Sequence, residues 1–279
     1  MRIDLHNHTK HSDGILTEEE LVNRAVKNHV DCFALTDHDS VFGCEKIYEI
    51  GKEKGILVIK GMELSTYYKG ESIHIVCLFK NNIIPDSIYQ FSKDFKEKRK
   101  KRAILMMEKI KEIYHLNMDI DVLLKKSEVI TRANMLNHLM EYNNLTREEA
   151  AKYINNDSKA YIPSTKMSVA DGLKMVREAD CFVIFAHPCL VRNQDYVEEI
   201  LSYGFDGIEV RYPSKKNDEK KYLELAKKYN LYISAGSDCH RGAEPDGDHG
   251  DIGTCTLNEE EFKPILDALN IKWEGYNGH

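Results

Sequence analysis

The stretch "VDCFALTDHD", residues 30–39, decides the fold. Its first half is almost continuously apolar, which fits a strand covered on both faces, as in a parallel sheet. Its second half carries Asp37, His38 and Asp39, groups that bind protons or cations. Just before it lies "TEEELVNRAVKNH" (17–29), an amphipathic stretch in which Thr17 can cap a helix and Glu20 can complete a capping box. Just after it, "VFGCEKIYEIGKEKG" (41–55) predicts a second helix closed by Gly55. A buried strand between two helices is the repeating unit of α/β folds.

The same rhythm continues outward. "MRIDLHNH" (1–8), "ILVIKGMELS" (56–65) and "SIHIVCLF" (72–79) predict strands, the last two joined by a short loop (67–71) with Gly70 as its turn residue. Later, "CFVIFAHP" (181–188), "FDGIEVRYP" (205–213) and "LYISAGSDCH" (231–240) predict strands. Helices are predicted at "SVADGLKMVREAD" (168–180), "DYVEEILSYG" (195–204), "NDEKKYLELAKKY" (217–229) and "EEEFKPILDAL" (259–269). Alternation of this kind predicts parallel strands with right-handed crossovers. About seven such units close into a barrel more naturally than they stay open. Between them, residues 85–163 are rich in Lys and Glu and show no strand pattern; the longest helix there is "FSKDFKEKRKKRAILMMEKIKEI" (91–113). The expected organisation is a barrel domain from 1–84 and 164–279, with 85–163 as a helical insertion covering the active-site mouth.

The totals narrow the function. A chain of 279 residues with 42% hydrophobic content can bury a sizeable core. A net charge of −7 provides no global basic field for long nucleic acid. Seven scattered cysteines, none in a C-x-x-C, fit reduced thiols in a cytoplasmic protein. No apolar run nears the roughly 20 residues that span a bilayer, and no signal peptide is visible.

In barrels the active site lies at the C-terminal ends of the strands. Polar residues gather there. His6 and His8 end the first strand, one residue apart and so pointing the same way, with Asp13 in the loop beyond. Asp37, His38 and Asp39 follow the second strand, and Glu63 follows the third. His187 closes another, and Asp238 and His240 close the last. His74 opens its apolar run instead; a hairpin-like return after Glu63 would bring it to the same mouth. Each has an ordinary explanation alone, as a loop histidine, a helix cap for Asp37 or Asp39, or a surface carboxylate. Nine such side chains on one rim form a costly polar cluster unless cations neutralise it. Mixed imidazole and carboxylate donors without a thiolate suit zinc, manganese or iron rather than calcium or magnesium. The set exceeds the needs of one ion, so two or three are implied, a carboxylate bridging a pair.

"DLHNHTKHSDG", "TDHD", "GMELS", "HIVCLF", "AHP" and "GSDCH", in that order, resemble the polymerase and histidinol phosphatase (PHP) family of metal-dependent phosphoesterases. The likeness runs over most of the chain and is strongest to the stand-alone group with a helical insertion. It implies a distorted (β/α)7 barrel. It implies a first metal on His6, His8, Glu63 and Asp238, a second bridged by Glu63 and held by His74 and His187, and a third on Asp13, His38 and His240. "ITRANMLNHL" and "AYIPSTKMS" resemble phosphate-contacting segments, which assigns substrate contacts to Arg132 and Lys166. One departure stands out: where the family often has a histidine after "IEVRYPS", this chain has "SKKNDEK", and Arg211 at that strand end is the expected substitute.

The expected activity is hydrolysis of phosphomonoesters of nucleotides or short oligonucleotides by metal-bound hydroxide. Glu63 bridges the cations, Arg132 grips phosphate, and His240 or a water protonates the leaving group. Asp37 is expected to orient a metal-bound imidazole. The alternatives are the same chemistry on a cyclic sugar phosphate or histidinol phosphate, and a metal-binding module without catalysis. The basic run Lys96–Arg102 is read as a solvated helix face in preference to an RNA contact. His11, His29, His115 and His138 fall outside the ligand pattern, and His249 is left unassigned.

Overall fold

Strands β1 (Ile3–Asp4), β2 (Cys32–Leu35), β3 (Leu57–Tyr68), β4 (Glu71–Phe79), β5 (Met167–Ser168), β6 (Cys181–Phe185), β7 (Gly207–Arg211) and β8 (Tyr232–Ala235) form one sheet. The computed structural model describes residues 1–126, 130, 132–163, 166–244 and 247–273. The order is β1-β2-β3-β4-β6-β7-β8, with β5 paired to β3. Backbone bonds draw the two ends together: Leu5 N–H donates to the Ala235 carbonyl (2.9 Å), and His8 N–H to that of Cys239 (3.0 Å). The result is a nearly closed, distorted barrel of seven strands, as the alternation predicted.

The pairing differs from expectation at one strand. β1–β2, β2–β3, β6–β7 and β7–β8 are parallel, but β4 is antiparallel to both neighbours. The cause is the connection. Lys69 and Gly70 turn the chain at positive φ (45° and 84°), and two residues cannot make the crossover that parallel strands require. The turn sets Ser65 opposite His74, so His74 does return to the mouth.

Helices α1 (Glu18–Lys27) and α2 (Cys44–Glu53) flank β2 as predicted. Thr17 and Glu20 make the capping box, and Gly55 follows α2 at φ 73°. The residues of β2 alternate between two cores. Phe33 and Leu35 pack under the helices with Leu21, Val22 and Ile47, whereas Cys32 and Ala34 face the barrel interior with Ile3, Ile59, Val76 and Ile184. Each fully buried large apolar side chain stabilises by about 1.5–3 kcal/mol, so both faces of the strand hold the fold.

Residues 86–154 carry α3 (Asp86–Tyr114), α4 (Ile120–Lys126), α5 (Arg132–Asn143) and α6 (Arg147–Ile154). Their apolar faces, including Met106, Ile110, Leu123, Leu139 and Ile154, form a core separate from the barrel's. We propose that this segment is an inserted subdomain; the expected boundary at 164 and the last residues, 274–279, lie outside the described residues. The remaining helices are α7 (Val169–Glu178), α8 (Tyr196–Leu201), α9 (Glu219–Tyr229) and α10 (Glu259–Ala268). Phe262 and Ile265 of α10 join the interior core at the end opposite the mouth.

The reversal of β4 explains the length of α3. A reversed strand delivers the chain to the bottom of the barrel, where Phe79 pairs with Cys181 at the start of β6. The 29 residues of α3 span about 43 Å at 1.5 Å each, enough to climb back to the mouth. On the way Ile88 joins the barrel core and Ser92 contacts Met62. At the mouth Arg99 pairs with Asp39.

Candidate metal centre

Glu63 lies at the centre of the mouth, fully buried. Its Oε1 is 2.9 Å from His187 Nε2, 3.0 Å from His74 Nδ1 and 3.4 Å from His6 Nε2. Its Oε2 is 2.7 Å from His38 Nδ1 and 3.3 Å from His8 Nε2. Asp238 stands beside it, with Oδ1 2.9 Å from His8 Nε2 and 3.5 Å from His6 Nε2. Asp13 approaches His240 Nε2 (3.2 Å) and His38 Nε2 (3.7 Å).

All nine residues expected as metal ligands therefore meet in one cluster. Donor atoms of His6, His8, Glu63 and Asp238 gather closely enough to share an ion, as do those of His8, Asp13, His38 and His240, and those of His38, Glu63 and His74. Three details differ from the expected partition. His8 and His38 each fall in two of these groups, and His187 meets Glu63 without joining a group. His249 forms a further group with Asp238 and His240 and stacks on His240 at 4.2 Å.

A divalent cation fits this donor set. His6 Nε2, His8 Nε2, His38 Nδ1, Glu63 Oε2 and Asp238 Oδ1 are all buried and make no hydrogen bond to a group outside the cluster. Buried polar atoms left in that state cost about 1–3 kcal/mol each. Five such atoms facing one another are a site that a proton or a cation stabilises.

The other nitrogens of these rings are held by the protein. His6 Nδ1 meets Glu209 Oε1 at 3.1 Å, His8 Nδ1 meets Ser12 Oγ at 3.3 Å, and His74 Nε2 meets Ser72 Oγ at 3.0 Å. His240 Nδ1 donates to the Asp238 carbonyl at 2.8 Å. Such partners fix which nitrogen is left for a metal. Asp37 works through Ser12. It accepts from Ser12 Oγ (2.6 Å), Thr9 Oγ1 (2.6 Å) and the Thr9 amide (2.7 Å), while Ser12 touches His8. Glu209 and Tyr212 escaped the sequence analysis. Glu209 also accepts from the His187 amide (2.6 Å), and Tyr212 donates its hydroxyl to Asp238 Oδ2 (2.8 Å). The one available signal was a glutamate within the otherwise apolar strand "GIEV".

The electrostatics agree. Burial raises carboxylate pKa values, yet the imidazoles of His38, His74 and His6 outweigh it and hold Glu63 well below the usual range. Burial opposes charge on His38 and His240, but Glu63 with Asp13 raises the first to about 9, and Asp13 with Asp238 raises the second to about 10. Burial wins at His74, which falls to about 4. The cluster thus attracts positive charge strongly. Protons and metal ions compete for the same nitrogens. The backbone is bent to suit: His187, Asp238 and Asp39 adopt positive φ (30°, 51° and 53°), a conformation that costs side-chain-bearing residues about 1–3 kcal/mol each.

The expected substrate residues divide. Lys166 Nζ bonds Ser72 Oγ, which contacts His74. Arg132, on α5, is exposed and lies 5.7 Å from the Tyr161 ring. Arg211 is committed elsewhere, held by both carboxylate oxygens of Glu261 and by Glu219. The run Lys96–Arg102 is only partly a solvated face: Lys98, Lys100 and Lys101 are exposed, but Arg99 and Arg102 turn inward. Of the histidines left outside the pattern, His11 is buried against Glu18 (3.2 Å), and His138 accepts from the Asp119 amide and stacks on Tyr142.

The sequence profile of the PHP domain matches residues 4–167, and the chain belongs to that family. Its class is accordingly that of phosphoesterases, with His/Asp/Glu clusters suited to metal. The 5'-3' exoribonuclease of Haemophilus influenzae is 28% identical over 247 residues, covering 86% of this chain and 90% of its own. The 3',5'-nucleoside bisphosphate phosphatase of Chromobacterium violaceum is 28% identical over 274 residues, covering 94% of this chain and 93% of its own. Among solved structures, a proposed metal-dependent phosphoesterase from Bifidobacterium adolescentis shares the fold, with a TM-score of 0.80 at 24% identity over 95% of this chain and 96% of its own.

Proposed function

We propose that the chain hydrolyses phosphomonoesters of nucleotides or short oligonucleotides with about two or three divalent transition metals, manganese, iron or zinc, in the cluster around Glu63. The observation that carries this is the convergence of five imidazoles on one buried carboxylate, Glu63. Glu63, reached by five imidazoles, would hold the cations together with His6, His8, Asp13, His38, His74, His187, Asp238 and His240. Bound there, the cations supply an acidified water and neutralise the phosphoryl oxygens as charge moves in the transition state.

The chain's own groups do the rest. Glu209, Ser12 and Ser72 keep His6, His8 and His74 in register. Arg132 and Lys166 contribute positive charge for the phosphate, the arginine fork matching two oxygens at once. Where it is not taken up as a ligand, His240, between Asp13 and Asp238, can carry a proton to the leaving group; otherwise a water does so. The names of the two relatives favour RNA and nucleoside bisphosphates as the substrate class, and the seven free cysteines favour a reducing, cytoplasmic setting.

The test is phosphate release from adenosine 3',5'-bisphosphate, short 5'-phosphorylated RNA, a cyclic sugar phosphate and histidinol phosphate, run alongside metal analysis. Turnover of either of the first two is expected, with E63A abolishing it and lowering metal content. A metal-loaded protein inert on all four would overturn the proposal in favour of a non-catalytic module.

A further inference from the structure

The loop after β8 carries a histidine that the ligand pattern leaves over. Three imidazoles stand in a column from the buried centre toward solvent. His8 stacks on His240 at 4.3 Å and 22°, and His240 stacks on His249 at 4.2 Å and 17°. Exposure rises along the column, from 0% for the His8 side chain through 6% for His240 to 29% for His249. Asp238 runs beside it. Its Oδ1 faces inward, 2.9 Å from His8 Nε2, and its Oδ2 faces outward, 3.6 Å from His249 Nε2. Donor atoms of Asp238, His240 and His249 lie close enough together to share an ion.

His249 is anchored on both sides. Before it, Asp248 accepts from Ser214 Oγ at 2.6 Å and meets Lys216 Nζ at 3.2 Å, which ties the loop to the segment after β7. After it, the Gly250 amide donates to the Ser237 carbonyl at 2.8 Å. Gly250 is packed too tightly to carry a side chain: a Cβ there would lie 2.9 Å from Thr254 Cβ and 3.2 Å from Pro213 Cβ. The distance from His249 to Asp238 is informative in itself. At 3.6 Å it is long for a hydrogen bond. Two donors on one tetrahedral ion of zinc's size, each about 2.1 Å from it, stand about 3.4 Å apart. A carboxylate oxygen has two lone pairs, so Asp238 Oδ2 can accept from the Tyr212 hydroxyl and still offer one outward.

We propose that His249, with Asp238 and His240, holds a divalent cation at the solvent edge of the mouth, outside the cage around Glu63. His249 is then a ligand beyond the nine that the sequence predicted, and the two oxygens of Asp238 serve the inner and outer positions separately. His240, also within reach of Asp13, stands where the two regions meet. A cation at the edge has three protein donors, one of them on a partly exposed ring, in a more water-like dielectric. It therefore binds more weakly than the buried ions, loads last and leaves first. The inference rests on reading the mouth as a metal centre, but not on the reaction catalysed there.

The test is manganese(II) binding to chelator-treated protein, with free ion followed by its electron paramagnetic resonance signal. Wild type is expected to show a tight class of sites and a weaker one. In H249A the weaker class is expected to lose affinity by at least the roughly tenfold that removal of a supporting partner alone costs, with the tight class unchanged. An H249A isotherm that superposes on that of wild type would overturn the proposal. So would equal weakening of both classes, which would make His249 a residue of the fold. A second measurement needs no variant: a wild-type crystal grown with manganese and measured at its absorption edge is expected to show an anomalous peak among Asp238, His240 and His249. Manganese confined to the cage around Glu63 would overturn the proposal as well. Neither readout involves turnover, so a protein that fills both classes and hydrolyses no ester would refute the phosphoesterase reading alone.

Discussion

Glu209 Oε1 stands 3.1 Å from His6 Nδ1, while the opposite nitrogen of the same ring faces Glu63. One buried glutamate thereby fixes which side of His6 is offered to a metal. E209Q keeps the shape and loses the charge. Metal affinity is expected to fall about 10–100-fold. Metal content after dialysis at graded free-metal concentrations, with activity recovered by excess metal, checks this; unchanged affinity would remove Glu209 from the centre.

Gly236 has no room for a side chain. A Cβ there would lie 2.2 Å from His6 Cβ and 2.4 Å from Glu209 Oε1. G236A is expected to destabilise the fold by about 1–3 kcal/mol or more, the usual range for overpacking, and to lose metal with it. Thermal unfolding of the variant beside wild type would settle the matter, a matching midpoint counting against it.

Removing metal leaves the lone pairs around Glu63 facing one another. Chelation is expected to abolish turnover and to lower the unfolding midpoint, since ions held at about a thousand times their dissociation constant contribute about 4 kcal/mol. Stepwise return of manganese, iron or zinc should restore both. A chelated protein of undiminished stability would contradict the cage.

Glu18 tests the scaffold away from the centre. Burial raises its pKa, but its own amide, His11 and Lys46 outweigh burial and bring it to about 2. The folded-state value is depressed, so its stabilising contribution is present above the unfolded value near 4.5 and fades as pH falls toward 2. E18Q should therefore be less stable than wild type at neutral pH, with the gap closing in acid. Denaturant midpoints at pH 7 and pH 3 would show it, and a constant gap would contradict it.

Much of this was legible in the sequence because barrel strands advertise themselves. Apolar runs ending in His, Asp or Glu marked both the sheet and its mouth, as at "FVIFAHP" and "YISAGSDCH". What stayed hidden depended on pairing and direction. The hairpin-like return to His74 was anticipated from the short loop at Gly70, but nothing in "SIHIVCLF" itself shows that it also runs antiparallel to β6. Glu209 was one acid among 46, distinguishable only by its apolar neighbours. In "KEKRKKR" every position is charged, so no apolar stripe indicates which face turns inward; Phe95 and Ala103, outside the run, settle it by packing. The ion pairs of Arg211 were not foreseen because Glu219 and Glu261 come from two later helices.

The climb of α3 from the base of the barrel makes its residue count a matter of angle as well as reach. Ser92 touches the strand wall at Met62, and Arg99, about two helical turns later, arrives on the same side at Asp39. One residue inserted between them would swing everything beyond by about 100°, carrying Arg99 off the mouth, whereas seven would nearly restore its bearing but overshoot by about 10 Å. Natural variation in this rod should therefore accumulate past Arg102, where length no longer sets aim.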